Sequence, residues 1–458
     1  MRAAAVLSAL LGVGAVWEGE EVANSQGLAM TREYLAGKYR VEMPEVLGKS
    51  KCGDGRRCVA LVSMLGLYSY EPPSDSLLNC TRANPDVVSK YCAYYFGTLS
   101  NFIHHKVNLN QHRRDSNYTF DLVLIHDETV PELAVQQIRK LGARTMEIPV
   151  SAKRLACRGF VKKNPTSRIY MEMCDDHDFN LQRFPQDALR MFLMSMKPIA
   201  LGMTEYDRVM FTDIDSFLEG HHGMVKSLDY TYDNDNVGLL INMDRFSPVN
   251  AGNWIAKPSL EVVDIWLNDI KKGFNSELGW GSHGHIDKIW QRDFIRNPEA
   301  HSRLYGRDGK NDPVWEDIKG SWNFLGAQMD QGLLFHIFGL KQKNLHFMNT
   351  MDYTIPNSEG ITNATWIRTT GFRHYASHPK PWSRDVCIHK HHKFQPADYL
   401  KIIQPIARDV RGMAYYYKDQ NEILNACARY LHNLVERCRV QAVKMEEKDW
   451  FERLPGTK

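Results

Sequence analysis

Asp213 and Asp215 stand one residue apart at the end of the run Arg208-Val-Met-Phe-Thr-Asp-Ile-Asp215. Val209 to Phe211 has the length and composition of a buried strand. Ligands of open α/β sheets bind outside the carboxyl ends of the strands, which is where this pair falls. Two hard oxygen donors held this close suit Mg²⁺ or Mn²⁺, ions that complete their shells with substrate phosphates. An Asp-x-Asp alone equally fits a strand followed by a solvated acidic turn, so the surroundings must decide. A second motif, Gly279-Trp-Gly281-Ser-His-Gly284, matches the Gly-x-Gly-x-x-Gly dinucleotide fingerprint letter for letter. That fingerprint needs an apolar strand before it and a helix after it. Polar, aperiodic residues 271–277 precede it here, so it reads as a flexible loop, a lid or an acceptor-binding segment. The run His389-Lys-His-His-Lys393 reads first as a solvated loop. No Cys-x-x-Cys, Walker A, His-Glu-x-x-His or Gly-x-Ser-x-Gly pattern is present.

The elements that must position these residues alternate. Buried strands are expected at 58–65, 120–125, 145–150, 209–211 and 237–242. Between them, Leu133, Ile138 and Leu141 share a helical face that Gly142 stops. Leu189, Phe192, Leu193 and Met196 line a second helix, which Pro198 kinks or ends. Strands alternating with helices predict an α/β fold, a Rossmann-like, mostly parallel sheet with helices on both faces. The polar, Gly- and Trp-rich stretch 268–329 reads as a long insertion before a further helix at Asp330. Residues 386–458 read as a helical C-terminal extension to a main domain at 55–385.

Composition narrows the function. With 57 basic and 54 acidic side chains in 458 residues, the net charge of +3 gives no footprint for nucleic acid. The small, apolar run Ala3–Trp17, followed by Glu18, Glu20 and Glu21, reads over residues 1–20 as a secretory signal peptide cleaved after Ala15, or as a short signal anchor holding the chain to a membrane. Sequons at Asn79, Asn117 and Asn363 fit a glycoprotein of the secretory pathway. Of nine cysteines, Cys52, Cys58, Cys80 and Cys92 cluster where one or two disulfides are expected, and the odd count leaves a thiol over.

Four segments, in order, resemble glycosyltransferase family 8, whose members include the glycogenin-like enzymes. They are Phe211-Thr-Asp-Ile-Asp215; Val249-Asn-Ala-Gly252 with Pro258-Ser259; Asp330-Gln331; and His374-Tyr-Ala-Ser-His-Pro-Lys380-Pro-Trp382. The resemblance spans roughly Cys58 to Trp382. It implies a GT-A fold and a metal-dependent, retaining transfer of a hexose from a UDP-sugar to an acceptor hydroxyl, on a glycan, a protein or a small molecule. It further implies Mn²⁺, with Mg²⁺ as the alternative, held by Asp213, Asp215 and His374. Donor contacts fall to Asp213, Asn250, Ala251, Gly252, Ser377 and Lys380, the last as a point charge on the leaving phosphate. Asp330 and Gln331 face the reacting sugar, although Asp330 alone also fits a helix N-cap. Lys197 resembles a family lysine near the donor, and equally fits a solvated helix end. The family usually has Gly where Ser377 stands, beside the diphosphate. The implied location is the Golgi or ER lumen, with secretion as the alternative. Two rival readings are a nucleotidyltransferase on a related fold and a non-catalytic lumenal nucleotide-sugar-binding protein.

Overall fold

The computed structural model describes residues 45–53, 55–66, 80, 88–111, 117–161, 174, 193–218, 220–242, 249–275, 279–280, 322, 327–349, 366–368, 372–374, 380–383, 396–417 and 422–452. The signal segment, Leu189, Phe192, Ser377, the sequons at Asn79 and Asn363 and the histidine run at 389–393 lie outside them; for His374 only the backbone is described. In chain order the elements are β1 (Arg57–Leu65), α1 (Lys90–Gln111), β2 (Tyr118–His126), α2 (Glu132–Lys140), β3 (Arg144–Glu147), α3 (Val150–Val161), a 3-10 helix (Lys197–Gly202), β4 (Arg208–Thr212), β5 (Ser216–Leu218) and α4 (His221–Asp233). There follow β6 (Leu239–Asn242), β7 (Asn250–Ala256), α5 (Leu260–Lys272), β8 (Phe274–Asn275), β9 (Gly279–Trp280), and α6 (Asp330–Leu334) running into a π-helical turn (Phe335–Lys341). Then come β10 (Leu345–Asn349), β11 (Trp366–Arg368), β12 (Phe372–His374), α7 (Pro396–Tyr417) and α8 (Glu422–Glu452).

Among the described residues the central sheet has eight strands in the order β11-β10-β6-β7-β4-β1-β2-β3. β7 runs antiparallel to both its neighbours, β4 and β6, and every other pairing in this sheet is parallel. β1 lies between β2 and β4, and its apolar run Val59–Val62 is what a strand covered on both faces requires. Ala60 and Val62 belong to one hydrophobic cluster, with Trp254, Trp266 and Phe335. Val59 and Leu61 belong to the other, with Phe96, Leu99, Val410 and Leu431. The C-terminal helices α7 and α8 therefore share a core with the sheet and α1.

β3 stops at Glu147, short of the strand expected through Val150. Pro149 has no N–H to offer a ladder, and its carbonyl accepts instead from Lys153 N (3.2 Å), opening α3. Gly279 and Trp280 are also not the flexible loop their sequence suggested. They pair with β8, Trp280 is buried, and its Nε1 donates to Ala327 O at 2.8 Å. An indole this large is stabilised by burial when its N–H finds a partner. Gly281 to Gly284 lie outside the described residues. Cys52–Cys58, Cys80–Cys92 and Cys157–Cys174 are disulfides, Cys438 is disulfide-bonded as well, and Cys427 is a buried free thiol. No helix among the described residues is long and apolar enough to cross a membrane.

Asp269 on α5 is buried against His336 Nε2 (3.0 Å) and Lys341 Nζ (2.6 Å). Burial works to raise its pKa, but these two partners outweigh it and hold the carboxyl below its ordinary value of 3.8. A carboxylate with a depressed folded pKa contributes stability that is present above the unfolded pKa and lost as pH falls through the folded one. Asp269→Asn is expected to lose about 3 kcal/mol at neutral pH, as breaking a buried pair does. Denaturant melts from pH 7 downward should show the gap to wild type closing only below pH 3.8.

Candidate active site at the carboxyl end of the central strands

β4 ends at Thr212, and the chain turns at once. Ser216 N donates to Asp213 O at 2.9 Å, closing a four-residue turn with Ile214 and Asp215 at its centre. Asp at the first position is a common choice for such a turn. Because β7 is antiparallel to β4, its start lies beside the end of β4: Thr212 faces Asn253, and Asp213 N donates to Gly252 O at 2.7 Å. The two sequence motifs 211–215 and 249–252 therefore meet.

Lys197 ties this edge together. It is 4 % exposed, so it is not a solvated helix end. Its Nζ lies 2.8 Å from Asp213 Oδ1, 2.6 Å from Asp330 Oδ2 and 3.4 Å from Ala251 O, over the ring of Phe211. Burial alone would lower its pKa, but Asp213 and Asp330 outweigh burial and raise it. Asp330 shows the converse. Burial raises its pKa, Lys197 opposes, and nearby Asp213 adds to the rise. Asp330 is the first residue of α6 rather than its cap, a position taken by Met329, and its Oδ1 accepts from Gln331 N at 3.0 Å.

Lys380 is a second buried ammonium, paired with Asp215 Oδ2. β12 pairs with β5 so that His374 stands opposite Ser216, one residue from Asp215. Asn250 Oδ1 accepts from Gly252 N (2.9 Å), fixing the bend that lets Gly252 meet the Asp213 turn. The structure thus gathers Lys197, Asp213, Asp215, Asn250, Ala251, Gly252, Asp330, Gln331 and Lys380 at one sheet edge, with the His374 backbone beside them.

Two groups of residues escaped the sequence reading. Asn253 Oδ1 accepts from Ser216 Oγ at 2.6 Å, and Asn101 Nδ2 donates to Ser216 O at 2.7 Å. Asn253 directly follows the Asn-Ala-Gly run, which was a usable signal; Asn101 had none. The second group is the seat of Trp382, two residues after Lys380. A Cβ on Gly97 of α1 would lie 2.3 Å from the Trp382 ring, and Tyr430 OH donates to Trp382 O. A glycine inside a helix is itself a hint of close packing. Gly97→Ala is expected to lower stability by about 1–3 kcal/mol, since a buried indole has no free space to rotate into. Thermal unfolding of the variant checks this.

No family model matches the chain, and no curated protein matches it in sequence. Among solved structures, it is similar to the apo form of WbbM, a bifunctional glycosyltransferase, at 12 % identity and a TM-score of 0.32. That match covers 82 % of this chain and 53 % of WbbM, so the chain spans about half the length of that protein. It is also similar to apo mouse xyloside xylosyltransferase 1, at 11 % identity and a TM-score of 0.26, over 64 % of this chain and 84 % of that one. Neither likeness is close enough to carry an argument about this site.

Proposed function

We propose that this protein is a GT-A glycosyltransferase that moves a hexose from a UDP-sugar to an acceptor hydroxyl, with retention and with a divalent metal. One observation carries the reading: Lys197 joins Asp213 to Asp330 at the end of β4, while Lys380 holds Asp215 on the same turn. Three carboxylates against two ammonium groups leave one negative charge on this edge. On an edge that is already net negative, a divalent ion offsets the two charges of an incoming diphosphate. Asp213 and Asp215 are hard oxygen donors suited to Mn²⁺ or Mg²⁺, and the backbone of His374 runs beside them for a third donor. Among the described residues no third His, Cys, Asp or Glu side chain joins them. When bound, the metal supplies Lewis-acid stabilisation of the leaving diphosphate.

The chain's own groups do the rest. Lys380 adds positive charge where the leaving phosphate gains negative charge. Gly252 and Ala251 leave room for the sugar to approach, and Lys197 holds the Asp330 carboxyl close to it. Asp330 and Gln331 stabilise the oxocarbenium-like transition state or position the acceptor. The glycosidic bond from sugar C1 to the diphosphate breaks, C1 bonds to the acceptor oxygen, and the hydroxyl proton passes to the departing phosphate.

UDP release from a panel of UDP-sugars, with Mn²⁺ or with EDTA, tests this for wild type and Asp215→Asn. The expected result is release from one sugar that needs metal and falls at least 100-fold in the variant, the order lost with a single electrostatic stabiliser. Metal-dependent UDP binding without release would favour a binding-only protein, and no metal-dependent UDP binding would overturn the reading.

A further inference from the structure

β5, which follows the Asp213–Asp215 turn, is three residues long and belongs to a two-stranded sheet with β12, outside the central ladder. Its position depends on what grips it from behind, and that is α1. Asn101 Nδ2 donates to Ser216 O at 2.7 Å. His105, whose pKa burial pushes down to about 3, hydrogen-bonds the backbone of the same residue. One helical step on, His104 Nε2 lies 3.0 Å from Leu218 O, and its Nδ1 lies 2.9 Å from Asp409 Oδ2 on α7. His104 thus bridges the Leu218 carbonyl of β5 to the Asp409 carboxylate of α7. Asn108 Nδ2 is 3.3 Å from each ring nitrogen, which places it over the ring face, and it donates to His104 O at 2.7 Å. Phe217 of β5 packs edge-on against both His104 and Trp382.

We propose that Asn101, His104 and Asp409 are positioning residues for the reaction. Through the carbonyls of Ser216 and Leu218 they hold the turn that carries Asp213 and Asp215, so helix α7 helps set the geometry of the site. The inference rests on the reading that these two carboxylates hold a metal–diphosphate. A ligand set of this kind works within about 0.5 Å of its productive geometry, and a three-residue strand on an edge does not hold that by itself. Asp409→Asn replaces the carboxylate facing His104 Nδ1 by a neutral amide, which weakens the tie between α1 and α7.

The test compares Asn101→Ala and Asp409→Asn with Asp121→Asn. Asp121 is equally buried and anchors Ser50 Oγ (2.6 Å), Lys51 N (2.9 Å) and Tyr206 OH (3.0 Å), away from the site. The readouts are the Mn²⁺ concentration for half-maximal UDP binding by calorimetry, the donor kcat and KM, and Tm. Asn101→Ala and Asp409→Asn are expected to raise the Mn²⁺ requirement about tenfold or more, the range for residues that orient metal ligands. Asp121→Asn is expected to lower Tm and leave that requirement unchanged. Where a variant does not fold, Asn101→Ser or Asp409→Glu takes its place. Folded variants with a lower Tm and an unchanged Mn²⁺ requirement would reduce these residues to structural support and overturn the proposal. A wild type without metal-dependent UDP binding would instead overturn the glycosyltransferase reading, and this inference with it.

Discussion

Replacing Lys197 by Met should destabilise the fold by about 3–5 kcal/mol, the range for removing one partner of a buried ion pair, and should abolish turnover. The lysine stands between two carboxylates, one of them Asp330, whose pKa burial and Asp213 already push upward. Without the ammonium, Asp213 and Asp330 are left facing each other with no cation between them. Met fills the space of the side chain, so the loss reports charge and not a cavity. Urea unfolding at neutral pH measures it, and a loss under about 1 kcal/mol would match an exposed pair and count against the bridge. Arginine would not restore function, because a planar fork does not replace a compact ammonium between two acceptors.

Gly332→Ala should be as severe. A Cβ at this position would lie 1.8 Å from Ala327 O and 2.5 Å from its carbonyl carbon. Those are backbone atoms, and no rotamer change relieves the overlap. α6 must therefore shift, taking Asp330 off Lys197. The expected stability loss is about 3 kcal/mol, the upper part of the overpacking range, and activity should fall further than the lost folded fraction explains. Gly412→Ala is the matched control. Nothing lies within 4 Å of its Cβ on α7, so it should gain about 0.5–1 kcal/mol from helix propensity alone. Thermal melts of the two variants side by side decide the point.

Much of the site was legible before the fold was known. Asp213 and Asp215 end an apolar run, and period and polarity are local signals. The sheet was legible for the same reason: β1, β2, β4 and β6 are short apolar runs, and all four lie in the central sheet. α1 was not read at all. It is packed between the sheet and α7, so it carries Tyr95, Phe96, Leu99 and Ile103 on one side and buried Asn101, His104 and His105 on others. A helix covered on several sides loses the single apolar stripe that identifies a surface helix. Lys197 was ambiguous because its meaning depends on Asp330, a partner far along the chain that no local pattern reveals. Trp280 was misread because the residues before it are polar, although its own indole marks a buried position.

The pairing of α1 with the C-terminal helices has a consequence for synthesis. Cys427 Sγ contacts Phe96 O across a separation of 331 residues. At about 5–20 residues per second, the ribosome needs roughly 20–60 s to span that interval. Throughout it, the sides of α1 that face α7 and α8 have no native cover. The Cys427 thiol then emerges last but one among the cysteines, at a time when disulfides upstream are already able to form and exchange. A premature stop before α7 would therefore leave those sides of α1 permanently exposed to water.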